Sequence, residues 1–282
     1  MRILITGGRG QLAADLTGVF AGEDVVAVGR DRLDITVPEQ VRQALDTWGP
    51  RVVINTAAFH NVDRCEDEPE QSFAVNAAAP QRLAAACRET GALFVHISTD
   101  YVFDGWKGEP YTETDPVHPL SVYGASKAAG EMAVRSTTDR HLIVRTTGLY
   151  GPGGKGTARG NFVETMLRLA AVGTSPTVVS DQVLTPSYTV DVANAIKQLI
   201  EDDATGTFHV TNAGQCSWYD FAREIFRLAK SPIDVAPTTQ AERPTPARRP
   251  SYSALAPTAM YDAGLPPMRS WHEALRSYMT QR

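Results

Sequence analysis

Apolar positions along the chain fall into two alternating patterns. Short continuous runs, "RILIT" from Arg2, "DVVAVG" from Asp24, "RVVINTAA" from Arg51, "ALFVHIS" from Ala92 and "HLIVRT" from His141, read as strands covered on both faces. Between them lie stretches with helical spacing. "GQLAADLTGVF" brings Leu12, Leu16 and Val19 to one side; "PEQVRQALDTW", a long stretch over about residues 68–90, and "YGASKAAGEMAVRS" follow. Apolar strands separated by helices predict a parallel sheet, and right-handed crossovers make it a doubly wound α/β (Rossmann) domain.

After Tyr150 the pattern changes. A glycine-rich loop, "GPGGKGTARGN", precedes the amphipathic helices "FVETMLRLAAV" and "TVDVANAIKQLIE", the second opened by Thr189 or Asp191 as cap. "GTFHVTN" reads as a strand and "SWYDFAREIFRLAK" as a helix, and the proline-rich tail from Pro232 to Pro267 has little periodicity. The expected division is a sheet domain of residues 1–150, joined by about 180–203, and a smaller irregular domain built mainly from 151–282 over the open edge of the sheet.

Composition narrows the function classes. A formal charge of -5 argues against a general nucleic-acid binder, which needs a basic face. Cys65, Cys87 and Cys216 are far apart and form no metal-binding spacing, so no zinc site and a reducing compartment are expected. No apolar run is long enough for a bilayer, and strand residues begin at position 3, so neither a membrane partner nor a signal peptide is expected; a cytoplasmic enzyme fits.

The first turn carries chemistry. "TGGRGQLA" follows the first strand and opens the first helix, with Gly7 and Gly10 three apart and Ala13 in place of a third glycine. Glycines there allow a tight turn and close approach of a pyrophosphate to the helix N-terminus, so a dinucleotide site is expected. Arg30 stands near the end of the second strand, where a guanidinium suits a 2′-phosphate; Asp34 and Ile35 follow at the adenine edge. "GPGGKGT" imitates a phosphate loop, but Leu149 and Gly156 break the Walker spacing.

"SVYGASKAAGE" sets Tyr123 one helical turn from Lys127, with small residues between them that allow close approach of a ligand. A nearby ammonium favours phenolate and makes tyrosine a usable acid near neutral pH. Thr99, at the end of the fourth strand, offers a hydroxyl to a substrate carbonyl. His96 reads as a core or edge residue. His118, His141, His209 and His272 share no spacing, and His60 alone lies near the expected coenzyme.

Gly7-x-x-Gly10, Thr99 and Tyr123-x-x-x-Lys127 resemble the extended short-chain dehydrogenase/reductases. "GGRGQL", "ISTDYVFDG", "PLSVYGASKAAGE", "NFVETMLRLA", "SDQVLTPSYTVDVA", "SWYDFAREI" and "RRPSYSAL" more closely resemble the dTDP-4-dehydrorhamnose reductase family. The resemblance implies NAD(P)H-dependent reduction of the 4-keto group of a dTDP-4-keto-6-deoxyhexose such as dTDP-4-dehydrorhamnose. The coenzyme expected from Arg30 is NADPH, with NADH as the alternative. By the same resemblance, Tyr123 protonates the alkoxide, Lys127 binds the nicotinamide ribose and lowers the tyrosine pKa, and Thr99 orients the carbonyl. Asp100 touches the sugar; Gly10, Gln11 and Leu12 match the pyrophosphate loop; Ala58, Phe59 and His60 match a coenzyme-contacting stretch. A homodimer is open in that family.

This chain departs from the pattern in places. Many members carry a tryptophan over the sugar where Gly148 stands, which implies a wider pocket and a gain in selectivity from Gly148→Trp. "FHN" at 59–61 is unusual, and residues 152–159 lengthen the loop beside the site. Some members use magnesium at a dimer contact, but no carboxylate cluster here supports a metal. A sugar-nucleotide 4,6-dehydratase would need an Asp-Glu pair after the threonine, and Asp100 is followed by Tyr101. A nucleotide-sugar epimerase and a non-catalytic, coenzyme-binding regulatory subunit stay open as alternatives.

Overall fold

The structure, a computed structural model, describes residues 1–154 and 160–281. Six parallel strands form the central sheet: β1 (Arg2–Thr6), β2 (Asp24–Val28), β3 (Val52–Asn55), β4 (Leu93–Thr99), β5 (His141–Thr146) and β6 (Gly206–His209). They lie in the order β6-β5-β4-β3-β1-β2. The order reverses between β1 and β3, so the crevice for a ligand opens beyond the carboxyl ends of these strands.

Side-chain alternation divides the core. Ile3, Ile5 and Ile54 pack on one face with Leu12 and Leu16 of α1 (Gln11–Val19), whereas Leu4 and Val53 face the other side with Val41 and Leu45 of α2 (Pro38–Trp48). The stretch expected as one long helix is broken into α3 (Val62–Asp67), α4 (Pro69–Phe73), a π turn over Ala74–Ala78 and α5 (Ala79–Thr90). The wide turn brings the Asn76 carbonyl where a Cβ on residue 130 would collide with it, so Gly130 of α6 (Val122–Thr137) permits the contact.

A third core joins α7 (Phe162–Ala171), α9 (Trp218–Leu228) and the last helix, Trp271–Thr280, around Tyr150, Phe221, Trp271 and Tyr278. Helix α8 (Thr189–Glu201) returns to the sheet, placing Val192, Ile196 and Leu199 in the same core as Leu12 and Leu16. The expected cap of α8 is corrected. Tyr188 occupies the N-cap and no side chain caps it; Thr189 instead bonds Asp15, and Asp191 pairs with Arg269 at 2.8 Å.

The proline-rich tail is ordered by pairing with distant segments. Ala236–Thr238 lies parallel to Thr177–Val179, and bridges join Leu255 to Tyr111 and Tyr252 to Val183. Residues 155–159 of the glycine-rich loop lie outside the described residues. The part before them, Pro152–Gly154, is a 3₁₀ turn packed on Gln11 of α1. Among the described residues no helix is long and apolar enough to cross a membrane.

Candidate active site

A cleft of about 720 Å³ opens beyond the carboxyl ends of β1, β3, β4 and β5. Gly10, Gln11, Leu12, Ala58, His60, Thr99, Asp100, Tyr123, Lys127 and Gly148 all line it. Thr99 arrives on the last residue of β4, and Tyr123 and Lys127 on the first turns of α6. That helix begins where it does because Ser121 caps it, its hydroxyl accepting from the Gly124 N–H at 3.2 Å.

The small residues of "SVYGASKAAGE" serve the protein rather than a ligand, which corrects the expectation. A Cβ at Gly124 would collide with the Tyr101 carbonyl. Ser126 accepts from Ser72 at 2.9 Å and from Asn76 Nδ2 at 3.0 Å. Asn76 also holds the strand-end loop: its Oδ1 accepts from the Phe59 N–H (2.9 Å) and its Nδ2 donates to the Phe59 carbonyl (3.0 Å). Asn76 therefore ties the Ala58–His60 stretch to the helix bearing Tyr123. The only sequence signal for it is one amide among alanines in "FAVNAAAP".

Lys127 is buried. Its Nζ donates to the Ile97 carbonyl at 2.6 Å and lies 3.2 Å from His96 Nε2. Burial pushes its pKa down to about 8, with Glu131 pulling the other way. Tyr123 keeps part of its surface open to the cleft. Desolvation pushes its phenol up, and a hydrogen bond with Thr99 pulls it back. Lys127 is not among the groups that lower it, so the expected tuning of tyrosine by the ammonium is absent from this arrangement.

At the first turn, Gly7 has φ +71°, and a Cβ there would lie 2.6 Å from the Ala57 nitrogen. No side chain caps α1 at Gly10, so its first N–H groups are not satisfied by a neighbouring residue. Gly7 thus shapes the turn while Gly10 lines the cleft.

The family profile described as "RmlD substrate binding domain" matches residues 1–282. The chain belongs to that family. It is 43% identical over 283 residues to a dTDP-4-dehydrorhamnose reductase of Streptomyces griseus, covering 97% of this chain and 91% of that protein. The crystal structure of a dTDP-4-dehydrorhamnose reductase from Clostridium acetobutylicum superposes with a TM-score of 0.95 at 43% identity, covering 100% of this chain and 99% of that one. The Bacillus anthracis dTDP-4-dehydrorhamnose reductase, solved in complex with NADP, gives a TM-score of 0.95 at 37% identity, with 100% and 99% covered.

This member of the RmlD family holds Asp100 buried with no cation at its carboxylate. Oδ1 accepts from Thr99 (2.9 Å), and Oδ2 accepts from Thr147 (2.8 Å) and Ser253 (2.6 Å). Burial pushes the carboxyl up to about 6, against those three hydroxyls. The folded protein therefore holds this proton more tightly than the unfolded chain does. The stability it contributes is full below pH 4 and is lost as pH rises through 6. The shift of roughly two units corresponds to about 3 kcal/mol. Asp100→Asn, which has no proton to lose, should gain about that much relative to the parent between pH 4 and pH 7 in urea unfolding. An equal pH dependence in both proteins would show that Asp100 titrates normally.

The structure does not bring Arg30, Asp34 and Ile35 into the cleft. Arg30 Nε donates to Asp34 at 2.9 Å with its side chain largely exposed. Asp34 also accepts from Thr36 and from the Thr36 N–H. Ile35 is buried in the core beside Leu33 and Val41, because the chain turns inward before α2 and leaves its side chain no surface for an adenine. Phe59 turns its ring under Arg64, 5.3 Å from the guanidinium carbon. The residue near the second strand that does line the cleft is Arg9, paired with Asp31 at 2.9 Å. It lies inside "GGRGQ", where the glycines draw the eye and the arginine does not.

Gly148 lines the cleft with φ +55°, and a Cβ there would lie 2.6 Å from Leu184 Cδ1 and 3.3 Å from Pro186 Cα. Leu184 occupies the space beside it, and Trp218, packed on Phe162 at 4.6 Å between ring centroids, supplies an aromatic wall elsewhere in the cleft. The wider pocket inferred from a missing tryptophan is therefore corrected. Gly148→Trp is a strained substitution, not a clean test of selectivity.

Proposed function

We propose that this chain reduces the 4-keto group of a dTDP-4-keto-6-deoxyhexose, such as dTDP-4-dehydrorhamnose, with NADPH as coenzyme. The observation that carries the reading is the meeting of Thr99, Tyr123 and Lys127 with the Gly7–Gly10 turn in one cleft. The relatives named as reductases of such sugars, matched over nearly the whole chain, support it. The residues present fit the coenzyme. The uncapped start of α1 suits a pyrophosphate, and Gln11 Oε1 and Thr146 Oγ1 are buried at the cleft without a hydrogen-bond partner.

The bound coenzyme supplies a hydride to the carbonyl carbon. Thr99 orients the carbonyl oxygen, and Tyr123 delivers a proton to it as charge develops there. The raised pKa of the Tyr123 phenol keeps that proton in place at neutral pH until an alkoxide, which is far more basic, takes it. Asp100, held by three hydroxyls, presents a fixed polar edge to the sugar. Residues 1–150 with about 180–203 hold the coenzyme in this reading, and most of 151–282 shapes the sugar side.

The test is turnover with a panel of dTDP-4-keto-6-deoxy sugars, with product configuration read by NMR. Transfer of deuteride from labelled coenzyme to C4 is expected. Inversion of a substrate without net consumption of coenzyme would identify an epimerase, and coenzyme binding without turnover on any sugar would identify a regulatory subunit.

Coenzyme choice gives a further prediction. Arg30→Ala should weaken NADPH binding tenfold to a hundredfold and NADH binding much less, since a charge-assisted phosphate contact contributes about 1.5–3 kcal/mol. Equal losses for both coenzymes would show that Arg30 does not meet the phosphate, leaving Arg9 as the arginine to test.

A further inference from the structure

Thr6, Asn55 and His96 are register partners across β1, β3 and β4, forming a row of three polar side chains through a sheet that is otherwise apolar there. All three are fully buried, and the row ends at Lys127. Hydrogen-bond accounting along it fixes more than the packing does.

Asn55 Oδ1 accepts from the Thr6 hydroxyl at 2.6 Å and from the Ala57 backbone N–H at 3.2 Å. A backbone N–H can only donate, so the amide oxygen belongs on that side and Nδ2 on the histidine side, 3.2 Å from His96 Nδ1. Nδ2 can only donate as well, so Nδ1 must accept. Burial beside Lys127 holds His96 neutral, and its single ring proton then sits on Nε2, pointing at Lys127 Nζ. An ammonium at that place would set donor against donor. A neutral amine accepts the Nε2–H while still donating to the Ile97 carbonyl.

The opposite setting turns the Asn55 amide over. His96 Nδ1–H then donates to Oδ1 and Nε2 accepts from the Lys127 ammonium, at the cost of an Ala57 N–H left facing Nδ2. The row thus has two settings, one for each charge state of Lys127. The other titratable groups around Lys127 do not decide between them. Glu131, on its own helix, is committed to Arg145, Arg135 and Ser98; Tyr123 is neutral; Asp100 is held by hydroxyls after β4; Cys65 of α3 lies nearer Tyr123.

We propose that His96 is a positioning residue for the reaction, presenting Nε2–H to Lys127 through a tautomer fixed by Asn55, so that Lys127 changes between amine and ammonium close to neutral pH. The role rests on the proposed reductase reading, since it matters to turnover only if Tyr123 and Lys127 work together. The depressed pKa of Lys127 agrees with it. A lysine that releases and regains its proton near working pH exchanges protons with the site, instead of acting as a permanent cation.

The experiment has a readout that needs no substrate. In ¹⁵N-labelled protein with coenzyme bound, His96 should show an unprotonated Nδ1 and a protonated Nε2 above the Lys127 transition, and Lys127 should titrate between about pH 7 and pH 9. Asn55→Asp supplies a carboxylate that accepts from Nδ1–H, forces the other tautomer and favours the ammonium. His96→Gln offers Lys127 an amide oxygen. Each variant should raise the Lys127 transition, and the basic limb of the kcat pH profile with it, by about one pH unit or more, with KM changing little. A wild-type Lys127 transition near its ordinary value, or the opposite tautomer of His96, overturns the proposal even if neither variant folds. Should the NMR transitions behave as expected while no keto sugar is reduced, the reductase reading fails and the His96 role as a proton gate for Lys127 stands.

Discussion

Tyr123→Phe should lower reduction of the keto sugar by roughly a hundredfold or more, the range in which a positioned general acid contributes. The variant keeps the ring and its edge contact with Tyr101, 5.8 Å between centroids, and loses only the hydroxyl that meets Thr99. Coenzyme affinity should change little, because the Gly7–Gly10 turn and Lys127 are untouched. The two measurements together separate loss of the acid from loss of the site. Near-parental turnover in the phenylalanine variant would sink the assignment.

Glu131→Ala should cost about 3–5 kcal/mol of stability at pH 7, the largest loss expected from a residue outside the cleft. Glu131 is fully buried on α6 and takes Arg145 through both oxygens, at 2.9 and 2.6 Å, with Ser98 at 2.5 Å and Arg135 at 3.2 Å. Burial works to raise its pKa, yet the bonds and charge of Arg145 hold it below the usual carboxylate range. Its contribution is therefore present at neutral pH and is lost as pH falls through the folded value. Truncation leaves Arg145 buried against the Phe103 ring, 5.1 Å from its centroid, with His209 as a distant neutral neighbour at 3.4 Å. Chemical unfolding of parent and variant at pH 7 checks this; a difference under about 1 kcal/mol would mean that water reaches the guanidinium.

What the sequence revealed was what local periodicity encodes. Strands such as "RILIT" and "ALFVHIS", and the tyrosine and lysine one helical turn apart, depend on spacings of two to four residues. Their placement in one cleft follows from sheet order. His96 was read as a core residue for a sound reason: it sits in an apolar run. Its partnership with Asn55 and Thr6 depends on strand register, which no single segment displays. Asp100 meets Ser253, 153 residues away, from a tail with no periodic signal. Arg30 was legible as a strand-end cation, but its pairing with Asp34 and the inward turn of Ile35 depend on how the loop before α2 closes. The missing tryptophan at Gly148 suggested empty space, because a sequence shows what one position lacks and not that Leu184 stands against it.

The tail closes the site from the far end of the chain. Ser253 donates to Asp100, Arg249 pairs with Asp63 at 2.8 Å, and the Tyr111 N–H donates to the Ala254 carbonyl. All of the sheet except β6, together with Thr99, Tyr123 and Lys127, lies within the first 146 residues, and α8 is complete by Glu201. During synthesis on the ribosome, the nucleotide-facing half can thus take shape while the wall that holds Asp100 is still unmade. A nascent chain halted between Glu201 and Ala247 would carry the reactive trio on an open surface without the enclosure that excludes water. The order of translation itself delays a working pocket until almost the last residues have emerged.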